Sequence, residues 1–140
     1  MKSIAVLDSS VVVAAIGWQG DARAVLSLLA RRCFLSVRTP WLTQEWAETV
    51  ARVSAEVKWP NPNWPNWLEW IKEASLLIKD PPARATVRRD PRDDPVIAAA
   101  VAARAGYLVA YDKDLLELRK PYGVHILKPR AFIQALVASS

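Results

Sequence analysis

A single cysteine and a single histidine among 140 residues leave several kinds of chemistry without their reagents. Cys33 on its own permits no internal disulfide and no cysteine-based zinc site. Placed just before the apolar "FLSV", it is expected to be a small buried residue in the reducing cytoplasm. His125 alone excludes a histidine-rich metal site and argues against a Ser–His triad; beside "ILK" in an expected strand it reads as structural. The chain also lacks any run approaching the roughly 20 apolar residues a bilayer requires. "MKSIAVLDSSVVVAAIG" opens like a signal peptide, but Asp8, Ser9 and Ser10 break the apolar run and no convincing small-residue cleavage site follows. The expectation is one soluble, cytoplasmic domain over residues 1–140, with no membrane association.

What is present points to a packed core. Hydrophobic residues make up 52% and charged residues 24%, which excludes a disordered chain. The net charge of +5 and a pI near 9.7 suggest a polyanionic partner. Periodicity predicts strands at "SIAVLD", "CFLSVRT", about "SLLIK", "YLVAYD" and "VHILK". Helices are predicted from Ser10, over "ARAVLSLLARR", "TPWLTQEWAETVARV" and "PNWLEWIKE", in the Ala-rich block after Asp94, over "KDLLEL", and over "PRAFIQALVAS". Thr39 is the expected cap of the third, with Pro40 in its first turn. "PPARATVRRDPR" reads as a loop. Strands alternating with helices imply an α/β fold with a mostly parallel sheet, and there is no internal repeat.

That architecture gathers the acids. Each strand of a parallel sheet ends, and its following helix begins, on one edge, where open α/β folds bind their ligands. Asp8 ends the first strand, Glu45 lies early in the helix after the second, and Asp112 ends "YLVAYD". Asp93 and Asp94 open the Ala-rich helix of "RDPRDDPVIAAAVAARAG", where one aspartate would suffice as a cap. Crowded carboxylates oppose each other's ionisation; a hard divalent cation relieves this, and oxygen-only ligands select Mg²⁺ or Mn²⁺. Setting four rim acids aside leaves 19 basic against 10 acidic residues, or +9. An acidic pit in a basic surface suits metal-dependent phosphodiester cleavage.

"VLDSSV", "TPWLTQEWAETV", "RDPRDDPVIAAAVAARAGYLVAYDKDLLEL" and "VHILKPRAFI" occur in the order and spacing of PIN-domain ribonucleases. The chain resembles the single-domain prokaryotic branch that supplies the toxins of VapBC-like toxin–antitoxin systems, least so between Val57 and Arg88. The resemblance implies a three-layer α/β/α, Rossmann-like fold with a sheet ordered 3-2-1-4-5, a homodimer, and an antitoxin partner. It also implies endonucleolytic hydrolysis of RNA by a metal-activated water, with Mg²⁺ or Mn²⁺. Carried over by position, Asp8, Asp94 and Asp112 would be metal ligands and Ser10 would orient Asp8. Glu45 would fill the family's glutamate position, and Asp114 a more variable acid position. Asp93 competes with Asp94 for one ligand place, Asp94 being favoured by its spacing to Ile97. Glu48 replaces Glu45 if the helix phase is shifted.

Arg88, Arg89, Arg92 and Lys113 stand beside the acids and either grip phosphates or are ordinary solvated charges. Asp90 reads as a loop residue beside Pro91. In "WPNPNWPNWLEW", Trp67 and Trp70 could share a helical face with Trp64 nearby; core or partner packing is the commoner use of Trp, base stacking the rarer. The competing function is a non-catalytic PIN-like module that binds RNA or protein; such modules can lose their acids, and here every expected position is kept. A dehalogenase-type phosphatase would need a second Asp where Ser10 stands. A receiver domain would need an acidic pair at the first strand and leaves Asp94 without a role.

Overall fold

"AVL" in "SIAVL" is apolar at consecutive positions, the pattern of a strand covered on both faces. In the computed structural model, which describes residues 2–84 and 90–139, it is the buried end of β1 (Ser3–Leu7). β1 leads into α1 (Ser9–Gly17) and α2 (Asp21–Ala30), then β2 (Phe34–Arg38), α3 (Pro40–Glu56), α4 (Trp64–Glu73) and β3 (Leu76–Leu77). After a 3₁₀ turn at Pro91–Asp93 come α5 (Pro95–Ala102), β4 (Tyr107–Val109), α6 (Lys113–Glu117), β5 (His125–Leu127) and α7 (Pro129–Ser139). All four strand pairings are parallel and the order is β3-β2-β1-β4-β5, as the resemblance implied. Helices cover the sheet in a three-layer α/β/α arrangement, α2 and α7 packing together. Phe132 of α7 stands edge-on to Phe34 of β2 and Tyr107 of β4 at 5.0 and 5.3 Å. Among the described residues no single helix is long and apolar enough to cross a membrane.

α3 locks the centre of the sheet to its rim. Thr39 caps it through Leu42 N–H, and Pro40 occupies its first turn, as expected. Trp46 is fully buried, and its indole N–H donates to the Leu7 carbonyl at 2.9 Å, directly beneath Asp8. Trp46→Phe keeps most of the volume and removes the donor, so it should destabilise by about 1–3 kcal/mol. An unchanged thermal melt would show that this bond contributes nothing.

Several expectations need correcting. The third strand is two residues rather than "SLLIK". Ser75 is drawn back to α4, donating to the Ile71 carbonyl at 2.8 Å and bonding Ser36 at 2.8 Å, while Ile78 N–H makes a ladder bond to Arg38 and two prolines soon follow. "YLVAYD" pairs only as far as Val109. The segment read as a loop ends in the 3₁₀ turn. Cys33 is exposed, not buried, because it belongs to the turn after Arg32, whose φ of 57° swings the chain outward before Phe34 enters the core. His125 does lie in a strand, exposed at the sheet edge beside Tyr107.

The Trp-rich stretch packs on the end of α1. Trp59 lies 5.9 Å from Trp18 and 6.3 Å from Trp64, and its ring passes 3.8 Å from where a Cβ on Gly17 would stand. Arg23 stacks over Trp67 at 4.6 Å while donating to the Ala15 and Ile16 carbonyls. Trp64 and Trp67 are half-buried against the core, whereas Trp70 is exposed, so the expected shared face divides.

Candidate functional site

A chain leaving a buried parallel strand must satisfy the free N–H groups of the next helix, and short acids do this well. Asp8 follows β1; its N–H reaches the Val109 carbonyl at 2.9 Å, joining the ends of β1 and β4. Its carboxylate caps α1 and accepts the Ser10 hydroxyl at 2.6 Å. Ser10 Oγ in turn accepts Tyr111 N–H at 3.1 Å, so one hydroxyl links Asp8 to the segment that carries Asp112. Asp112 caps α6 through Leu115 N–H at 3.1 Å, and Asp114 lies in that helix's first turn.

The two neighbouring aspartates both cap. Asp94 accepts Val96 N–H at 2.9 Å at the start of α5. Asp93 accepts Asp90 N–H at 3.0 Å, while Asp90 accepts Arg92 N–H at 2.8 Å; together they form a capping box around the 3₁₀ turn. Both also line the acidic cleft, but Asp93 borders a second groove as well.

This cleft, about 1080 Å³ and open to solvent, brings together Asp8, Ser10, Glu45, Asp93, Asp94, Asp112 and Asp114. It adds Asp90 and Arg52, which the sequence reading did not place there. Glu45 faces it along a stripe of α3 with Trp41, Thr49 and Arg52. Glu48 does not line the cleft and accepts a bond from Gln44 at 2.7 Å. Glu45 is not paired with Arg52, whose recorded ion pair is with Glu56 at 3.6 Å. Arg92 lies outside the cleft, bonded to Asp90 and stacked over Tyr122 at 4.1 Å. Lys113 is exposed at the head of α6 and does not line the cleft. Arg88 and Arg89 lie outside the described residues.

Burial pushes the Asp8 carboxyl above its usual range; the Ser10 hydroxyl and N–H oppose the shift, and the Asp112 charge adds to it. Asp90 is held well below the usual carboxylate range, chiefly by the Arg92 guanidinium and then by the Tyr122 hydroxyl at 2.7 Å. The two acids are therefore shifted in opposite directions within one cleft. Its donors are all oxygens, which suits Mg²⁺ or Mn²⁺. Among the described residues, however, no group of three or more His, Cys, Asp or Glu side chains is gathered closely enough to hold an ion. The fit is therefore one of donor chemistry alone, which one or two of these carboxylates could supply.

Asp90 and Arg52 left signals in the sequence. D-P-R-D is a capping-box pattern, and Arg52 is seven residues from Glu45, two helical turns along the same face.

The family model for the PIN domain matches residues 5–114. The crystal structure of PAE2754 from Pyrobaculum aerophilum superposes with a TM-score of 0.59 at 15% identity, covering 97% of this chain and 90% of that one. At that identity the likeness concerns the fold alone. No curated protein matches the sequence.

Proposed function

The chain belongs to the PIN domain family, whose members are generally nucleases that use divalent metals, and from that premise we propose that it is an Mg²⁺- or Mn²⁺-dependent endoribonuclease. We further propose that it is the toxin of a VapBC-like pair, a homodimer restrained by a cognate antitoxin. The observation that carries the nuclease reading is the convergence on one cleft of seven carboxylates between Asp8 and Asp114, with Arg52 the one cation lining it among the described residues.

One or two of Asp8, Asp94 and Asp112 would hold the cation together with the substrate's phosphate, with Asp93 and Asp114 in the same cleft. When bound, that cation polarises the scissile phosphate and makes water a better nucleophile. The chain's own groups do the rest. Ser10 holds the Asp8 carboxylate in one orientation through its 2.6 Å bond. Glu45 faces the same space and is suited to accept a proton from the attacking water. Arg52 offers a guanidinium to a phosphate oxygen.

One observation favours the alternative of a non-catalytic RNA- or protein-binding module, namely that no tight ligand group is gathered among the described residues. Total cellular RNA, with cut ends mapped by sequencing, separates the two. Fragments should appear with Mn²⁺ or Mg²⁺ and cease in EDTA, and Mn²⁺ should raise the melting temperature. Cleavage that persists in EDTA overturns the metal mechanism. RNA binding without cuts in either condition supports the binding module. For the toxin role, an adjacent short reading frame with a DNA-binding N-terminus should encode a protein that binds this one and stops cleavage.

A further inference from the structure

Next to the acidic cleft lies a second groove of about 490 Å³, and the two share Trp41 and Asp93 as a common wall. Its chemistry differs. Among the described residues the cleft carries seven carboxylates against one guanidinium, while the groove carries Arg84 and Arg92 against Asp80 and Asp93. Pro81, Pro82 and Pro95 supply apolar, rigid sides. A polyanion crossing from one to the other therefore meets its least repulsive surface in the groove.

Trp41 is the residue that makes the groove informative. It opens α3 and is 38% exposed, and its backbone N–H donates to Asp80 Oδ1 at 3.1 Å, which ties the start of α3 to the Asp80 side of the groove. The cleft-lining stripe of α3 begins there and continues through the half-buried Glu45 and Thr49 to Arg52, eleven residues on, a span of about 16 Å. The cations are fixed as well. Asp90 pairs with Arg92 at 3.2 Å and with Arg84 at 3.7 Å, and Tyr122 lies beneath the Arg92 guanidinium. An aromatic face, two guanidiniums and an apolar wall are the components with which proteins hold an unpaired nucleotide.

Resting on the nuclease reading above, we infer that this groove is a subsite for one unpaired nucleotide of the RNA strand, its base against the Trp41 indole and its phosphate at Arg84 and Arg92. The strand then runs along α3 into the acidic cleft. Trp41 thereby sets which segments of RNA the cleft can take, favouring a single-stranded flank with a well-stacking base.

The test uses the full chain in EDTA and two fluorescent probes, an oligoadenylate of about 12 nucleotides and an abasic ribose-phosphate chain of equal length. Trp41→Ala should weaken oligoadenylate binding about 5- to 100-fold, and Trp41→Phe should recover most of it. On the abasic chain the Trp41→Ala loss should vanish. Arg84→Ala should reduce the slope of log affinity against log salt by about 0.7 on either probe. If Trp41→Ala binds oligoadenylate like the parent, or loses equally on the abasic chain, the subsite is overturned while the nuclease reading stands. If the parent binds neither probe, the RNA reading fails and the subsite with it. Unchanged RNA affinity together with loss of a dimer in light scattering assigns the groove to a second copy of the chain, again overturning the inference.

Discussion

Asp8→Asn is expected to lower RNA cleavage by about a thousandfold while raising the melting temperature at neutral pH. The two effects have one cause. Asp8 is held in a site where burial and the neighbouring Asp112 charge both oppose its ionisation. Keeping it ionised at pH 7 therefore weakens the fold, and only a ligand that needs the charge makes that worthwhile. Asparagine caps a helix as well as aspartate does and can still accept from Ser10, so the local structure survives. A carboxyl whose folded-state pKa lies above its unfolded value contributes its stability below the unfolded value, about 3.9, and loses it as the pH climbs through the folded value. The advantage of asparagine should thus be absent below about pH 4 and open as the pH rises. Melting curves of both proteins across pH, with and without Mn²⁺, measure this directly. A variant that melts lower than the parent at pH 7, or that still cuts RNA at the parent's rate, refutes the assignment.

Asp94→Asn should abolish most activity, by about a hundredfold or more, whereas Asp93→Asn should leave most of it. Each residue accepts one backbone N–H, so asparagine in either place preserves its cap and neither variant should unfold. They differ in what they border. Asp94 lines the acidic cleft alone, beside Asp8 and Asp112, while Asp93 stands on the ridge between the cleft and the neighbouring groove. Charge at Asp94 therefore acts where the other carboxylates act. Single-turnover rates with saturating Mn²⁺, together with the Mn²⁺-induced rise in melting temperature, separate the two. A dead Asp93→Asn with a lost Mn²⁺ response and an active Asp94→Asn would reverse the roles. Asp93→Ala adds a control: it deletes the capping box and should cost about 1 kcal/mol of stability without the activity loss of Asp94→Asn.

Most of the rim was readable in advance because its logic is topological. A parallel sheet sends every strand end to one edge, so the positions of Asp8, Glu45, Asp94 and Asp112 followed once the strands and helices were recognised. Contacts made in three dimensions were not readable. Nothing near Asp90 in sequence announces Tyr122, 32 residues later, whose hydroxyl helps fix its charge. Nor does "SLLIK" reveal that Ser75 bonds Ser36 across 39 residues and stops the strand from starting earlier. Cys33 misled because apolar neighbours suggested burial, whereas a left-handed Arg32 decided the direction of the chain. The tryptophans of α4 divided between core and surface according to helix phase, which a spacing of three does not define.

The register of β1 has a consequence for the life of the chain before it is finished. β1 lies between β2 and β4, and the rim closes through Asp8 N–H on Val109 and Tyr111 N–H on Ser10, contacts spanning about a hundred residues. Asp8 and Glu45 lie in the first third of the sequence, whereas Asp94 and Asp112 lie in its last third. A ribosome-bound fragment ending before β4 has an unpaired edge on its central strand and no assembled acid rim. Until β4 docks, such a fragment therefore cannot present the acidic cleft, whose walls come from segments about a hundred residues apart.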